Sequence, residues 1–403
     1  MKKILACIFA VSIISTAAFS KNFFSQRYFE IKVGTDVDFS NNLFTANELL
    51  VQDLEIDLKK LAQECPESGF NLRAGANPNL GLNLNIKNFH LGIDAGVDVY
   101  ESLTVGKGLF DFLGYGNTIG EESKFTLDNN TEVFAYSQVD LGLKIGKVRF
   151  NVKPAVFLPL MSIRGSGGTI TVKNDTDGNM IASMDLDMDV YSIAEIQQTS
   201  DGKIVIDPDQ IQAALTKGYG FDIAGGLGID VSDSFIIGAN CRIPVLPGHL
   251  NYKSNVKTGF EYEMKVTDYQ NAKTTKQDVT ITTTETNLAV HRPLKASAYF
   301  DKNMLGTLFN LHAAGGIGIR SPFSDQALIY PEYYVGFTLN VFDIFRLGVS
   351  TEYTDQVFIH QVGTTVNIRL IQIDLGLSSQ SSDFKKSWSV PGVGAYAYVT
   401  VGF

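Results

Sequence analysis

The sequence is short of the features that mark most soluble enzymes and most helical membrane proteins. Only three cysteines occur in 403 residues. Cys7 lies in the leading segment, and Cys65 with Cys241 form neither a CxxC motif nor a disulfide framework. Their spacing leaves open whether they pair or stay as two thiols. Past the first twenty residues no run approaches the ~18 apolar residues of a spanning helix, so a membrane location would have to be built from strands. Basic residues are in deficit, 31 against 43 acidic once Lys2 and Lys3 are set aside, which excludes the basic footprint of a nucleic-acid-binding protein.

Catalytic signatures are missing too. The five histidines, His90, His249, His291, His312 and His360, form no HExxH pair. Arg164 spoils the nearest approach to GxSxG around Ser166. No phosphate loop is present. The expectation is a protein that is not an enzyme and takes no cofactor or metal. Asp185, Asp187 and Asp189 alternate near a good turn at Asp175–Asn179, but Lys173 and Met184 occupy the positions where a calcium loop needs carboxylates. A solvated acidic strand face is the plainer reading.

The start of the chain is informative. Lys2 and Lys3 precede an apolar run from Ile4 to Ile14, and small residues follow to Ala18-Phe19-Ser20. This has the anatomy of a secretory signal peptide cleaved after Ser20, with a run too short to cross a bilayer. Almost nothing apolar precedes Cys7, which disfavours acylation there.

After that, glycine (37) and phenylalanine (27) are abundant, and the hydrophobic period is two. Phe29, Ile31, Val33, Val37 and Phe39 alternate with Glu30, Lys32, Gly34, Asp36 and Asp38. Leu80–Ile86 and Phe89–Tyr100 alternate on either side of a turn at 87–88, and the phase survives the turn, as a hairpin with one shared face requires. Val133–Ile145 and Val148–Val156 repeat this around Gly146-Lys147. Phe221–Val231 and Phe235–Ile243 repeat it around Ser232-Asp233-Ser234. Weaker candidates lie at 292–301, 308–320, 332–341, 345–353, 356–369 and 370–379. The last strand alternates Val393, Ala395, Ala397, Val399, Val401 and Phe403 with Gly394, Tyr396, Tyr398, Thr400 and Gly402.

Alternation at ten-residue scale with turns between is the pattern of an all-β, antiparallel transmembrane barrel, here of about 14 strands in one domain over 21–403. Short connections at 87–88, 146–147, 232–234, 301–307, 342–345 and 369–371 fall at one end. Long ones at 41–77, 101–130, 159–217 and 246–291 fall at the other, as periplasmic turns and outer loops do. Phe89, Phe235, Phe309, Phe342, Phe345 and Phe403 would mark the periplasmic rim; Phe39, Tyr333, Tyr353 and Phe358 would mark the outer one. Tyr398, Val399, Val401 and Phe403 resemble the closing strand that barrel-assembly machinery reads.

Short helices are expected in the first and third outer loops. One runs over 45–64, with a Thr45/Glu48 capping box and Leu50, Leu54, Leu58, Leu61 and Cys65 in helical spacing. The other runs from Asp207-Pro208 to about Lys217. Residues 169–191 read as an outer hairpin, and the polar, Thr-rich 265–290 as a mobile loop or solvated hairpin.

Parity places Arg149, Lys153, Arg242, Arg320 and Arg369 on the lumen face, opposed by Asp94, Asp98, Asp140, Asp222 and Asp230, with His90 and His312 beside them. Such charges form either a path for a polar or amphipathic solute or salt bridges that brace the wall. A lumen of this size conducts narrowly or carries a plug.

The overall plan resembles spirochaetal outer-membrane barrels of the long-chain fatty acid transporter class. The residues behind the resemblance are Gly34-Thr35-Asp36-Val37-Asp38-Phe39-Ser40 with the helix after it, Lys153-Pro154-Ala155-Val156-Phe157-Leu158-Pro159-Leu160, and Arg242-Ile243-Pro244-Val245-Leu246-Pro247. The resemblance implies a barrel in the outer membrane that captures hydrophobic solutes, fatty acids among them, at its outer mouth and releases them sideways or inward. The family's hatch segment before the first strand has no counterpart beyond Lys21–Gln26. Its asparagine-proline-alanine motif is echoed only by Asn77-Pro78-Asn79, after the first strand. The alternatives are a general diffusion porin, and a surface adhesin or structural barrel acting through its long loops.

Overall fold

The computed structural model describes residues 27–45, 56–165, 167–199, 204–206, 209–212, 218–265, 268–325, 327–342 and 344–403. The chain begins with β1 (Phe29–Asn41), α1 (Leu58–Glu64), β2 (Phe70–Ala76), β3 (Asn79–Ile86), β4 (Phe89–Val105), α2 (Lys107–Tyr115), β5 (Glu122–Ile145) and β6 (Val148–Ile163). Next come β7 (Gly167–Asn174), β8 (Asn179–Ser192), β9 (Ile196–Gln198), β10 (Ile204–Ile206), β11 (Gly220–Ser232), β12 (Phe235–Leu246), β13 (Gly248–Lys265) and β14 (Asp268–Val290). The last third holds β15 (Leu294–Met304), β16 (Phe309–Arg320), β17 (Leu328–Val341), β18 (Phe345–Thr354), β19 (Val357–Ile368), β20 (Ile371–Ser381) and β21 (Gly392–Gly402).

These strands form a closed antiparallel barrel. The wall runs from β1 through the interrupted β2–β3 to β4, β5, β6, β11 and β12, then from β15 to β21. The ring shuts where β21 pairs with β1, from Glu30↔Gly402 to Phe39↔Val393. Closure leaves the wall no free edge. Alternation does what the sequence pattern asked of it. On β21, Val393, Val399 and Val401 face outward and are about half exposed, while Tyr398 and Thr400 face inward and are buried. Ile223, Leu227, Ile229 and Val231 repeat the outward row on β11. Among the described residues no helix is long and apolar enough to cross a membrane.

The expected count of about fourteen strands is too low. The tall hairpin β13–β14 rises from the wall between β12 and β15 in the same sheet, and with it the barrel has sixteen strands. The whole sheet holds nineteen, because β7 and β8 also join it and β2 and β3 are separate pieces. The stretches 159–217 and 246–291 are expected as outer loops, with a hairpin at 169–191 that β7 and β8 form and a mobile loop or solvated hairpin at 265–290. Their backbone groups pair instead with the extended upper half of β5 and with each other: Glu122–Leu127 with β7, β7 with β8, and β8 with β13. The threonine-rich β14 lacks the apolar alternation of the wall, and so it escapes a reading based on hydrophobic period.

The barrel is lopsided. At one end the turns are tight, as at Lys87-Asn88 and Gly146-Lys147, where Lys87 (φ 52°) and Gly146 (φ 59°) take the left-handed conformation such turns need. At the other end the sheet of β7, β8, β13 and β14 stands tall over one side. The β18–β19 hairpin turns low on the wall at Asp355-Gln356.

The expected helices fall only partly on described residues, and one further helix is present. Residues 46–55 lie outside those described, so the Thr45/Glu48 box is not seen. The described helix starts after Asp57, whose carboxylate accepts from the Lys59 and Lys60 amides. In the third outer stretch only 209–212 is described as helical, with Asp207, Pro208 and 213–217 outside the described residues. The second outer stretch holds an unforeseen helix, α2. It packs on α1 so closely that a Cβ on Gly114 would come 2.8 Å from that of Ala62. Around this contact Leu43, Ala62, Cys65 and Phe110 form a small core joined by Phe44 and Phe70. Cys65 is buried there and Cys241 lies exposed on the outward face, so both thiols are free.

Candidate functional site

The barrel interior gathers the candidate residues, and its organisation follows strand register. Near the tight-turn end, Asp140 of β5 meets Lys153 of β6 at 2.6 Å and His90 of β4 at 3.5 Å, while Asn151 donates to it. Asp230 of β11 is held by Arg149 at 2.8 Å and Lys144 at 2.7 Å. His312 meets Asp301 at 2.9 Å between the rings of Tyr299 and Tyr334. Asp94 accepts from Gln138.

Higher up, two arginines each span two carboxylates. Arg320 reaches Glu132 at 2.9 Å and Asp355 at 2.8 Å, with its guanidinium 3.5 Å above the Tyr100 ring. Arg292, the largest fully buried side chain among the described residues, reaches Asp98 at 3.1 Å and Asp222 at 3.2 Å and lies over Tyr136. Arg242 stands beside this group, close enough to interact with Asp222 and Asp98, and its Nε is buried without a hydrogen-bond partner. Lys295 pairs with Glu332 at 2.6 Å, and Thr354 donates to the same carboxylate.

Arg292 belongs to the His291-Arg292-Pro293 connection between β14 and β15, so the tall hairpin is fastened into the interior. Its partner Asp98 also accepts from Asn77, and Tyr136 Oη lies 3.5 Å from the Asn77 amide oxygen. Asn77 and Pro78 are the break between β2 and β3. Pro78 has no N–H to give the sheet, and its carbonyl accepts from Val97 instead. The wall is interrupted where the charge cluster is anchored.

Above Arg292 sits an apolar cluster of Phe134, Phe157, Leu158, Ile193, Ala194, Leu250 and Val290, with Tyr136 and Leu288 packed against it. Ile193 and Ala194 come from the third outer stretch, folded inward. The mouth therefore has an apolar upper layer resting on a buried charged one, joined by Tyr136.

Of the ten charged lumen residues expected from parity, nine lie inside: Arg149, Lys153, Arg242, Arg320, Asp94, Asp98, Asp140, Asp222 and Asp230. Arg369 does not. It is exposed in the tight turn after β19, at φ 47°, and contributes its carbonyl to Arg27. The closing-strand residues divide by parity: Val399 and Val401 point outward, whereas Tyr398 points inward over Gly34 and donates to Asp36 at 3.1 Å. Phe403 accepts from the Tyr28 and Phe29 amides, and its ring lies 6.0 Å from that of Phe29.

The tall sheet carries a polar cleft of about 740 Å³ lined by Arg164, Asp187, Asp189, Lys253, Asn255 and Lys257 among others. Lys257 meets Asp187 at 2.9 Å, Lys253 meets Asp189 at 2.8 Å, and Asn255 donates to both carboxylates. Lys257 and Asn255 hold the Asp187 carboxyl below its usual range. A depressed carboxylate stabilises the fold above its unfolded pKa and loses that contribution as pH falls through the folded value. This contact between β8 and β13 therefore persists at neutral pH and weakens only in acid. Among the described residues no group of three His, Cys, Asp or Glu side chains is placed to hold a metal ion.

No family model matches the sequence, and no curated protein matches it significantly. Solved structures do. The CymD monoaromatic hydrocarbon channel is similar over 98% of this chain and 94% of its own, at 11% identity and a TM-score of 0.51. The P. putida toluene transporter TodX aligns over 98% and 96%, at 10% identity and a TM-score of 0.49. A Pseudomonas aeruginosa FadL homologue aligns over 94% and 90%, at 9% identity and a TM-score of 0.43. At such identities only the architecture is comparable. The chain shares the closed-barrel fold of the CymD channel.

Proposed function

We propose that this protein is an outer-membrane barrel that moves small hydrophobic or amphipathic solutes, with long-chain fatty acids among the candidates. The observation that carries the reading is the layered mouth: an enclosed apolar cluster stands on a buried arginine and its carboxylates, inside a wall whose outward face is apolar. An apolar solute body suits the upper layer, and a polar end suits the Arg242–Arg292 group below it. Export through a signal peptide cleaved after Ser20 and assembly through Phe403 belong to the same proposal. So do contacts with membrane lipid and with the barrel-assembly machinery. Monoaromatic hydrocarbons are the solutes named for CymD and extend the candidate list here. The break in the wall at Asn77-Pro78 is the proposed exit.

The polar cleft of the tall sheet favours one second reading, a surface barrel that binds polar molecules outside. Conductance of the refolded chain Lys21–Phe403 in a planar bilayer separates the readings. Ion pairs crossing the interior predict a folded but nearly silent barrel, and steady stepwise openings would instead establish a diffusion pore. Deleting 165–192 is then expected to abolish uptake of a hydrophobic solute by cells carrying the barrel. Unchanged uptake with lost surface binding would put the adhesin reading in its place.

A further inference from the structure

We propose that the connection 382–391 between β20 and β21 is a lipid-anchoring element that seats Phe384 and Trp388 in the boundary layer of the outer leaflet. The inference rests on the membrane-barrel reading above and goes beyond it. A connection at the tall end of a barrel would ordinarily stand in water or fold over the mouth. This one lies against the outside of the wall.

Register fixes the side. On β19, Val357 and Ile359 point inward and are buried, while Phe358, His360 and Val362 point outward. Trp388 stacks on His360 with ring centroids 3.6 Å apart and planes 21° from parallel. Phe384 meets Phe358 edge-on at 5.2 Å. Both contacts are with outward-facing residues, so the connection has come down over the shoulder left by the low β18–β19 turn.

It is held there by a built set of bonds. Ser387 is fully buried, its hydroxyl lies 2.8 Å from His360 Nε2, and its carbonyl accepts from the Ser379 hydroxyl. The Asp383 carboxylate accepts from the Lys385 and Lys386 amides. Lys386 Nζ donates to the Asn42 and Leu43 carbonyls. Val390, in the left-handed region at φ 54°, turns the chain back toward β21. The segment thus has one shape, and that shape points two large rings away from the protein: Trp388 is 63% exposed and Phe384 50%.

Bulk water is a poor environment for rings held out in this way, and a lipid interface is a good one. The patch is continuous with the lipid-facing surface. Phe358 lies 4.4 Å from Tyr353, which stacks on Tyr333, and all three are outward residues of β17–β19. Lys385, next to Phe384, is exposed and supplies a cation that suits lipid headgroups.

The sequence contains one tryptophan, so indole emission reports this connection alone. The full chain, purified from outer membranes, is reconstituted in phosphatidylcholine vesicles with and without brominated acyl chains. The expected result is emission blue-shifted from that of indole in water, with most of it lost in the brominated vesicles. Trp388→Phe should remove the signal and keep the heat-modifiable gel mobility of a folded barrel. A folded, inserted barrel whose emission stays at the water value, and which aqueous iodide quenches but brominated chains do not, overturns the anchor alone. A chain that never inserts overturns the barrel reading and the anchor with it.

Discussion

Arg292→Met is expected to destabilise the barrel by about 3–5 kcal/mol, the cost of leaving buried charges without their counter-ion. The geometry gives the reason. One guanidinium serves two carboxylates, Asp98 on β4 and Asp222 on β11, and Asp222 is almost completely buried. Without Arg292 both stand in the interior beside Arg242, which cannot lie between them in the same way. Lysine is a poor substitute, since a single ammonium does not offer the forked donor pair. Adding Asp222→Leu to Arg292→Met should restore much of the loss, because an apolar pair of similar size avoids the desolvation of both ions. The temperature at which heat-modifiable mobility is lost reads the effect. Equal midpoints for wild type and Arg292→Met would show that the pair is solvated and that the interior is wetter than its burial implies. The same variant frees the tall hairpin from the wall break at Asn77, so conductance should appear where the wild type is quiet.

Gly34→Val is expected to prevent closure of the barrel in most molecules. Gly34 faces Tyr398 across the β1–β21 seam, and a Cβ placed there would collide with the tyrosine ring. The ring cannot simply move away. Its hydroxyl donates to Asp36, and the Lys32 ammonium rests 4.2 Å from its centre. Overpacking of this kind costs about 1–3 kcal/mol, and here it falls on the one seam that shuts the ring. The double variant Gly34→Val with Tyr398→Ala removes the collision with the ring but not the close approach to the Ala397 carbonyl, and should recover part of the folded barrel in the outer membrane, measured as the heat-modifiable fraction on gels. Recovery no better than Gly34→Val alone would mean that β1 needs glycine for its own backbone rather than for the tyrosine.

Both variants act on features that differ in how visible they are from sequence. The alternation of Phe29–Phe39, Phe89–Tyr100 and Val393–Phe403 announces the wall, because a strand between lipid and lumen must change character at every residue. The tight turns at 87–88 and 146–147 followed from the same phase. Parity also put Asp140 and Lys153 inside. Their pairing needed register, which only neighbouring strands define. Arg292 escaped because it lies in a short connection, where alternation says nothing about direction. Arg369 was misplaced for the converse reason, since a left-handed turn residue breaks the phase that was being extended through it. Helix α2 is disguised by Gly106, Gly108, Gly114 and Gly116, which lower helix propensity; at least Gly114 is there for the close approach to Ala62. β14 is polar and threonine-rich and carries little hydrophobic period, so 246–291 read as an outer loop and the count fell short.

The seam between β1 and β21 also bears on the order of events in assembly. It joins Tyr28 and Phe29 to Phe403, the most distant pairing that the described chain makes. Every other wall contact links segments closer in sequence, down to hairpins that can zip as soon as both strands exist. Loop-closure entropy therefore makes the seam the slowest contact to gain by chance. Until it forms, β1 and β21 are two raw edges open to any passing strand. Shutting the ring is in this sense a single late decision. A chain that lacks β21 would arrive at that step with nothing to close upon, so its loss of folded barrel should be complete.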